Sequence, residues 1–262
     1  MTKRDADPDR SAALAQYRDR AGFYDLELAL FRPIRREAIV RLALRSGDTV
    51  LDVGCGTGLS FEQLQQDIGA KGRIVGLEQC PEMLQQARDR IGQSHWKNVT
   101  TLCAPVEMAE IPVMADAALF HFTHDILRQP EAIANVVRHL KPGAHVVAAG
   151  LQWAGPWIWP INWFVLPAAL HSTTTLEGLG RPWDKLAGLV GPMEVQARFL
   201  GAVYIASGVY GERPVGLRRR SKPKGDAVHA RPPQGAAAAG LGQRHPARNG
   251  EFPIGRGVAK RA

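Results

Sequence analysis

The chain has 262 residues, enough for one large domain or two small ones. Its 45% hydrophobic content is ordinary for a globular protein and excludes a chain disordered throughout. The net charge of +8 does not describe a basic groove: residues 212–262 hold 12 of the 33 Lys and Arg and 3 of the 25 Asp and Glu, leaving 21 and 22 for the rest.

Residues 1–45 read as a helical N-terminal cap, two segments parted near Ala21-Gly22, with Phe23, Leu26, Leu28, Leu30 and Phe31 before Pro33 and Ile39, Leu42 and Leu44 after it. Ser46-Gly47-Asp48 turns the chain into a first strand, Thr49 to Val53. A glycine loop and a helix from about Leu59 to Asp67 follow. Arg73 to Leu77 reads as a second strand, and Pro81 opens the next helix. Val99 to Leu102 and Ala117 to Phe122 are the third and fourth strands. A helix from Glu131 to Leu140 is closed by Lys141-Pro142-Gly143, and His145 to Ala149 is the fifth strand. Apolar strands alternating with amphipathic helices imply an α/β domain over 46–211, a parallel sheet with helices on both faces. The rhythm breaks in the Trp/Pro-rich stretch 152–190, and 194–200 with 202–210 reads as a closing antiparallel hairpin.

The tail is of another kind. Of its 51 residues, 32 are Ala, Arg, Gly or Pro and 7 are Leu, Ile, Val or Phe, too few to offset ordering entropy, so 212–262 is expected to be a basic, low-complexity, disordered segment. The same composition is what GC-rich coding gives in a shifted frame. Translating the other two frames tests that idea, and no continuation of the fold after Tyr210 would sink it.

The chemistry concentrates where the first strand ends. Gly54-Cys55-Gly56-Thr57-Gly58 lies between a strand and a helix, where glycines let the backbone turn sharply and approach a ligand. The helix start beyond it favours a carboxylate. Asp52 can receive a positive amino group, and Glu78, ending the second strand, can accept hydrogen bonds from two ribose hydroxyls. The dinucleotide pattern G-x-G-x-x-G fits poorly, because the third glycine, Gly58, comes one place early.

Gly47 to Gly58, with Asp52 at its centre, resembles the first motif of class I S-adenosylmethionine-dependent methyltransferases. Gly76-Leu77-Glu78-Gln79-Cys80-Pro81-Glu82-Met83-Leu84 is similar to the family's second-strand motif, and Arg138-His139-Leu140-Lys141-Pro142-Gly143 to the run before its fifth strand. The resemblance spans about residues 20–150. It implies a Rossmann-like, seven-stranded, mostly parallel sheet with a closing antiparallel hairpin, and S-adenosylmethionine as cofactor. It places Asp52, Gly54 and Gly56 around the methionine part, Glu78 at the ribose, and Gln79 and Met83 beside the adenosine, with Cys55 and Thr57 of the loop also expected to bind the cofactor. The family's Asp-Ala pair after the third strand is replaced by Ala104-Pro105-Val106-Glu107, which leaves adenine contact to Val106 and backbone groups.

The fourth strand runs into Phe120-His121-Phe122-Thr123-His124-Asp125, and the carboxyl ends of strands line the site in this fold. His124 is a candidate general base steadied by Asp125, with His121 beside it; alternatively the imidazoles only shape the pocket or cap a helix. No further ligands follow at metal spacing, so no metal is expected. The base-methylating Asn/Asp-Pro-Pro-aromatic run of the family is absent, and nucleic acid is not the expected partner. Trp153, Trp157, Trp159, Trp163 and Phe164 occupy the family's variable acceptor lid, 152–190, either packing on the sheet or offering a rigid apolar surface to a flat or greasy acceptor. Phe23-Tyr24-Asp25 resembles the opening helix of quinone and phospholipid methyltransferases, and Tyr17 and Tyr24 are candidates to close over the cofactor.

The expected reaction is methyl transfer to an O, N or C atom of a small apolar, aromatic or lipid-like acceptor. Two alternatives stand beside it: a non-catalytic S-adenosylmethionine-binding module, and an RNA methyltransferase recruited by the basic tail. Three widely spaced cysteines and the lack of a signal sequence or spanning segment suggest a soluble cytoplasmic protein, with peripheral membrane contact open.

Overall fold

The structure, a computed structural model, describes residues 31–173 and 175–211. The helical segments expected before residue 31, with Tyr17 and Phe23-Tyr24-Asp25, lie outside the described residues, as does the tail 212–262. Strands run Thr49–Val53 (β1), Arg73–Glu78 (β2), Val99–Cys103 (β3), Ala115–His121 (β4), Leu140–Leu151 (β5), Met193–Arg198 (β6) and Val203–Val209 (β7). They form one seven-stranded sheet in the order β3-β2-β1-β4-β5-β7-β6. The first five are mutually parallel, and β7 runs antiparallel between β5 and β6. The expected fold class is the observed one.

Both faces of the centre are buried, which is why its strands read as nearly unbroken apolar runs. In β1, Leu51 and Val53 pack into one core while Val50 packs into the other; in β4, Ala118 and Phe120 oppose Ala117 and Leu119. Helices Arg32–Val40 (α1), Phe61–Ile68 (α2) and Pro81–Gln93 (α3) cover one of these faces. α2 does so through Phe61, Leu64 and Ile68, at helical spacing. On the other face, Pro130–Val137 (α5) follows the single turn His124–Leu127 (α4), and Asp184–Val190 (α7) packs beside it. Between β5 and α7 the chain forms a 3-10 stretch, Pro156–Ile161, and helix Asn162–Ser172 (α6).

Several boundaries differ from the sequence reading by a few residues, and one difference changes an assignment. α5 ends at Val137, and Lys141-Pro142-Gly143 lies inside β5 rather than in a loop before it. The register explains this: Ala115 pairs with Leu140 and Ala117 with His145, so the residues between bulge out of the β4–β5 ladder. Gly143, at φ +86°, donates instead to the Tyr210 carbonyl at 2.9 Å, and Lys141 reaches both oxygens of Asp116 at 2.8 Å.

Chain connections leave the sheet in opposite directions from β1 and β4, which are neighbours. In such sheets the crevice outside the carboxyl ends of those two strands is where ligands bind.

Candidate functional site

β1 enters Gly54-Cys55-Gly56-Thr57-Gly58, whose glycines take φ of +69°, +55° and +77°. At Gly54 the constraint is double, since a Cβ would stand 2.5 Å from Thr123 Cγ2 and 2.9 Å from Ile126 Cδ1. The loop is tied to β2 by the Cys55 N–H, which donates to the Leu77 carbonyl at 2.9 Å. The Cys55 and Thr57 side chains are buried, and Cys55 packs into the core over Gly76. Neither of these two expected cofactor neighbours is among the residues that line the crevice.

Asp52 and Glu78 end adjacent parallel strands, Asp52 opposite Gly76 in the register. Glu78 is fixed by backbone donors: Gly56 N–H on Oε2 at 3.0 Å and Cys80 N–H on Oε1 at 2.8 Å. Burial raises its pKa, and those N–H groups oppose the rise. Asp52 is 2% exposed, and its Oδ2 has no hydrogen-bond partner among the described residues. Burial lifts its carboxyl to about 7, with the Arg35 charge pulling it down and the Glu78 charge adding to the rise. A buried carboxylate oxygen without a partner is costly, and a cationic ligand group is the partner that removes the cost.

The crevice is lined by Gly54, Glu78, Gln79, Met83, Val106 and Asp125, all of them site residues expected from sequence. Leu77, Glu107, Phe122, Thr123, Ile126 and Gln129 complete it, and of these Ile126 and Gln129 lie outside the runs singled out from sequence. Val106 sits in a 3-10 turn, Val106–Met108, pinned by buried Asn135, whose Nδ2 donates to the carbonyls of Val106 at 2.6 Å and Ala109 at 2.9 Å. Phe122 holds left-handed backbone, φ +57°, and packs between Phe31 and His121 at ring distances of 4.7 and 4.8 Å. That conformation is unfavourable for a bulky residue and turns Thr123 over Gly54.

The structure separates the histidines from Asp125. His124 lines a small void with Phe122, Gly150, Leu151, Thr173 and Tyr204, whereas Asp125 lines the crevice beside Gly54 and Glu78. His124 Nε2 donates to the Glu177 carbonyl at 3.0 Å. Its Nδ1 is then an acceptor, buried and without a partner among the described residues. Burial lowers its pKa to about 4, opposed by the bonds to Glu177 and Thr175, so the ring is neutral. His121 is also buried, its pKa lowered by desolvation and by Arg35. Arg35 is the residue the sequence reading missed. It lies on the buried stripe of α1 with Ile34, Ala38 and Ile39, and a guanidinium at a core-facing helical position was the available signal.

Among the described residues no cluster of three His, Cys, Asp or Glu could hold a metal ion, and no helix is long and apolar enough to cross a membrane.

Residues 50–143 match a family described as a methyltransferase domain. An arsenite methyltransferase of Halobacterium salinarum is 26% identical over 44% of this chain and 30% of its own length. A ubiquinone/menaquinone biosynthesis C-methyltransferase, UbiE, of Geobacter sp. is 32% identical over 47% and 53%. The chain thus spans at most about half the length of these two relatives. The N-methyltransferase NodS of Bradyrhizobium japonicum, solved with S-adenosylhomocysteine, shares the fold with a TM-score of 0.57 at 16% identity, over 76% of this chain and all of that one. The buried, unpaired Asp52 oxygen suits the cationic amino group of S-adenosylmethionine.

Proposed function

We propose that this chain, whose residues 50–143 form a class I S-adenosylmethionine-dependent methyltransferase domain, methylates an O, N or C atom of a small apolar or aromatic acceptor. The observation carrying the reading is the Asp52–Glu78 pair at the carboxyl ends of neighbouring strands, one carboxylate held by loop amides and the other buried with an unpaired oxygen. When bound, S-adenosylmethionine supplies an electrophilic methyl group on a good leaving group. Asp52 holds the ammonium, Glu78 the ribose hydroxyls, and Gln79, Met83 and Val106 bound the adenosine, with Gly54 and Gly56 beside the methionine part. The domain's main task is alignment, which can supply roughly 7–11 kcal/mol in well-oriented reactions.

The acceptor side is read from β4 and the segment after β5. Neutral His124, with Nδ1 free to accept, suits a hydrogen bond or proton from an acceptor hydroxyl or ammonium. The segment 152–190 is read as the acceptor lid, its apolar composition favouring a flat or greasy molecule. Similarity to quinone methyltransferases supports that class. The three cysteines are free, consistent with a reducing cytoplasm.

Calorimetry with S-adenosylmethionine tests the cofactor site, followed by turnover of labelled cofactor against phenols, quinones, amines and lipid headgroups. Undiminished binding by the Asp52→Ala/Glu78→Ala double variant would overturn the cofactor reading. Binding without turnover of any acceptor class would leave a binding module.

A further inference from the structure

Between Lys141 and Glu177 the chain carries no Asp, Glu, Lys or Arg. Within that run, α6 buries Val165 and Ala169 yet presents Trp163 at 70% and Phe164 at 76% exposure, so it is apolar on its outer face as well. A helix that is apolar all round belongs in a core or against hydrocarbon. The preceding 3-10 stretch adds Trp159, whose ring lies 6.5 Å from that of Trp163, and Trp157, which is 98% exposed.

A second segment extends the patch. The β6–β7 turn carries exposed Phe199 and Leu200, both in left-handed backbone at φ +47° and +52°. Such strain persists only where surrounding structure enforces it. The turn abuts the first segment, since a Cβ at Gly201 would lie 3.5 Å from Ile158 Cδ1 and 3.6 Å from Ala154 Cα.

The geometry points to a membrane-docking surface: Trp157, Trp159, Trp163 and Phe164, with Phe199 and Leu200, enter the interfacial layer of an anionic bilayer. Trp is the residue type enriched at that layer, where an apolar ring and a polar N–H are both accommodated. Protein interfaces carry a polar, charged rim, which this run lacks along its own sequence. Stable peripheral binding takes two signals, and charge complementarity supplies the second: residues 212–262, C-terminal to β7 in the chain, hold 12 basic against 3 acidic side chains. The patch follows β5, whose last residue, Leu151, lines the small void beside His124. Membrane contact itself does not depend on the methyl-transfer reading.

The test is flotation of the full chain with large unilamellar vesicles of phosphatidylcholine containing phosphatidylglycerol. The chain is expected to float with the vesicles, its Trp emission moving to shorter wavelength. A W157A/W163A/F164A variant should partition about tenfold less or worse, and bind S-adenosylmethionine as the wild type does. High salt should weaken association and not abolish it. If the triple variant misfolds, Leu200→Asp on the other segment decides by the same loss. No flotation, flotation undiminished in both variants, or complete release by salt would overturn the proposal. So would self-association of the wild type that the variants lose in the absence of vesicle binding, which would assign the patch to a second copy. Vesicle binding without cofactor binding would leave this inference standing and sink the methyl-transfer reading; the reverse result would do the opposite.

Discussion

Glu78 Oε2 accepts the Gly56 N–H at 3.0 Å, so the acid proposed to hold the ribose also holds the loop proposed to hold the methionine part. Glu78→Ala removes a cofactor contact and strands the amides of Gly56 and Cys80 together. S-adenosylmethionine affinity should fall about 10- to 100-fold, the range of a lost charged hydrogen bond, as read by calorimetry. A variant binding within twofold of wild type would refute the dual role, about twofold being the noise of such context effects.

Asp52 gives the site a pH signature. Its folded pKa of about 7 lies above the usual 3.8, so the ligand-free fold binds more protons than the unfolded chain between those values. Asp52's contribution is fully present below pH 3.8 and is lost as pH rises through about 7. A cationic ligand reverses the preference. Binding of S-adenosylmethionine should strengthen as pH rises through 7 and, below 7, release a proton, visible as heats that vary with buffer ionisation enthalpy. Asp52→Asn should lose both the proton release and most of the affinity.

Gly54→Ala is expected to cost about 1–3 kcal/mol, from a left-handed backbone and from the 2.5 Å approach to Thr123 Cγ2. Combining it with Thr123→Ser, which removes that methyl, should recover part of the loss in denaturant unfolding. Strict additivity of the two substitutions would mean that the clash is not the cause.

His124 is neutral because it is buried, and its Nε2–H anchors the Glu177 carbonyl. With a folded pKa of about 4 against 6.5 unfolded, its contribution is present above 6.5 and lost as pH falls towards 4. His124→Ala should flatten that part of the stability profile in thermal unfolding, and cost about 1–3 kcal/mol near neutrality through the unpaired carbonyl. Limited proteolysis should then cut faster around Thr175–Gly178, with cofactor affinity little changed. An unchanged cleavage rate would show that His124 does not hold this loop.

Asn135 satisfies two carbonyls of the turn that carries Val106. Asn135→Ala should lower stability by about 2–4 kcal/mol and weaken cofactor binding through the displaced turn. Leucine at this position should be worse than alanine, because it adds bulk beside the same unpaired carbonyls. Equal unfolding midpoints for wild type and Asn135→Ala would remove Asn135 from the site's support.

Much of this molecule was legible in one dimension because its information is local. A parallel strand buried on both faces is a short apolar run, and Thr49 to Val53 is found with the bounds expected. Pro81 at a helix start, glycines where φ is positive, and acids ending β1 and β2 are each set by a few neighbouring residues. The Lys141-Pro142-Gly143 run misled because proline and glycine signal a loop, while the β4–β5 register and the bond from Gly143 to Tyr210 keep the run inside a strand.

The sequence by itself determined the order of the strands and of the helices between the first five, apart from the single turn at His124–Leu127, together with the glycine loop and the acids Asp52 and Glu78, since each rests on periodicity or on a residue's own backbone preference. Tertiary structure decided which side chains meet. It buried Cys55 and Thr57, brought Arg35 from α1 near Asp52, sent His124 to Glu177 and Asp125 to the crevice, and left the Trp157–Phe164 stretch largely facing outward. Those outcomes depend on contacts between residues distant in the chain, where packing and desolvation choose among orientations that local sequence leaves equivalent.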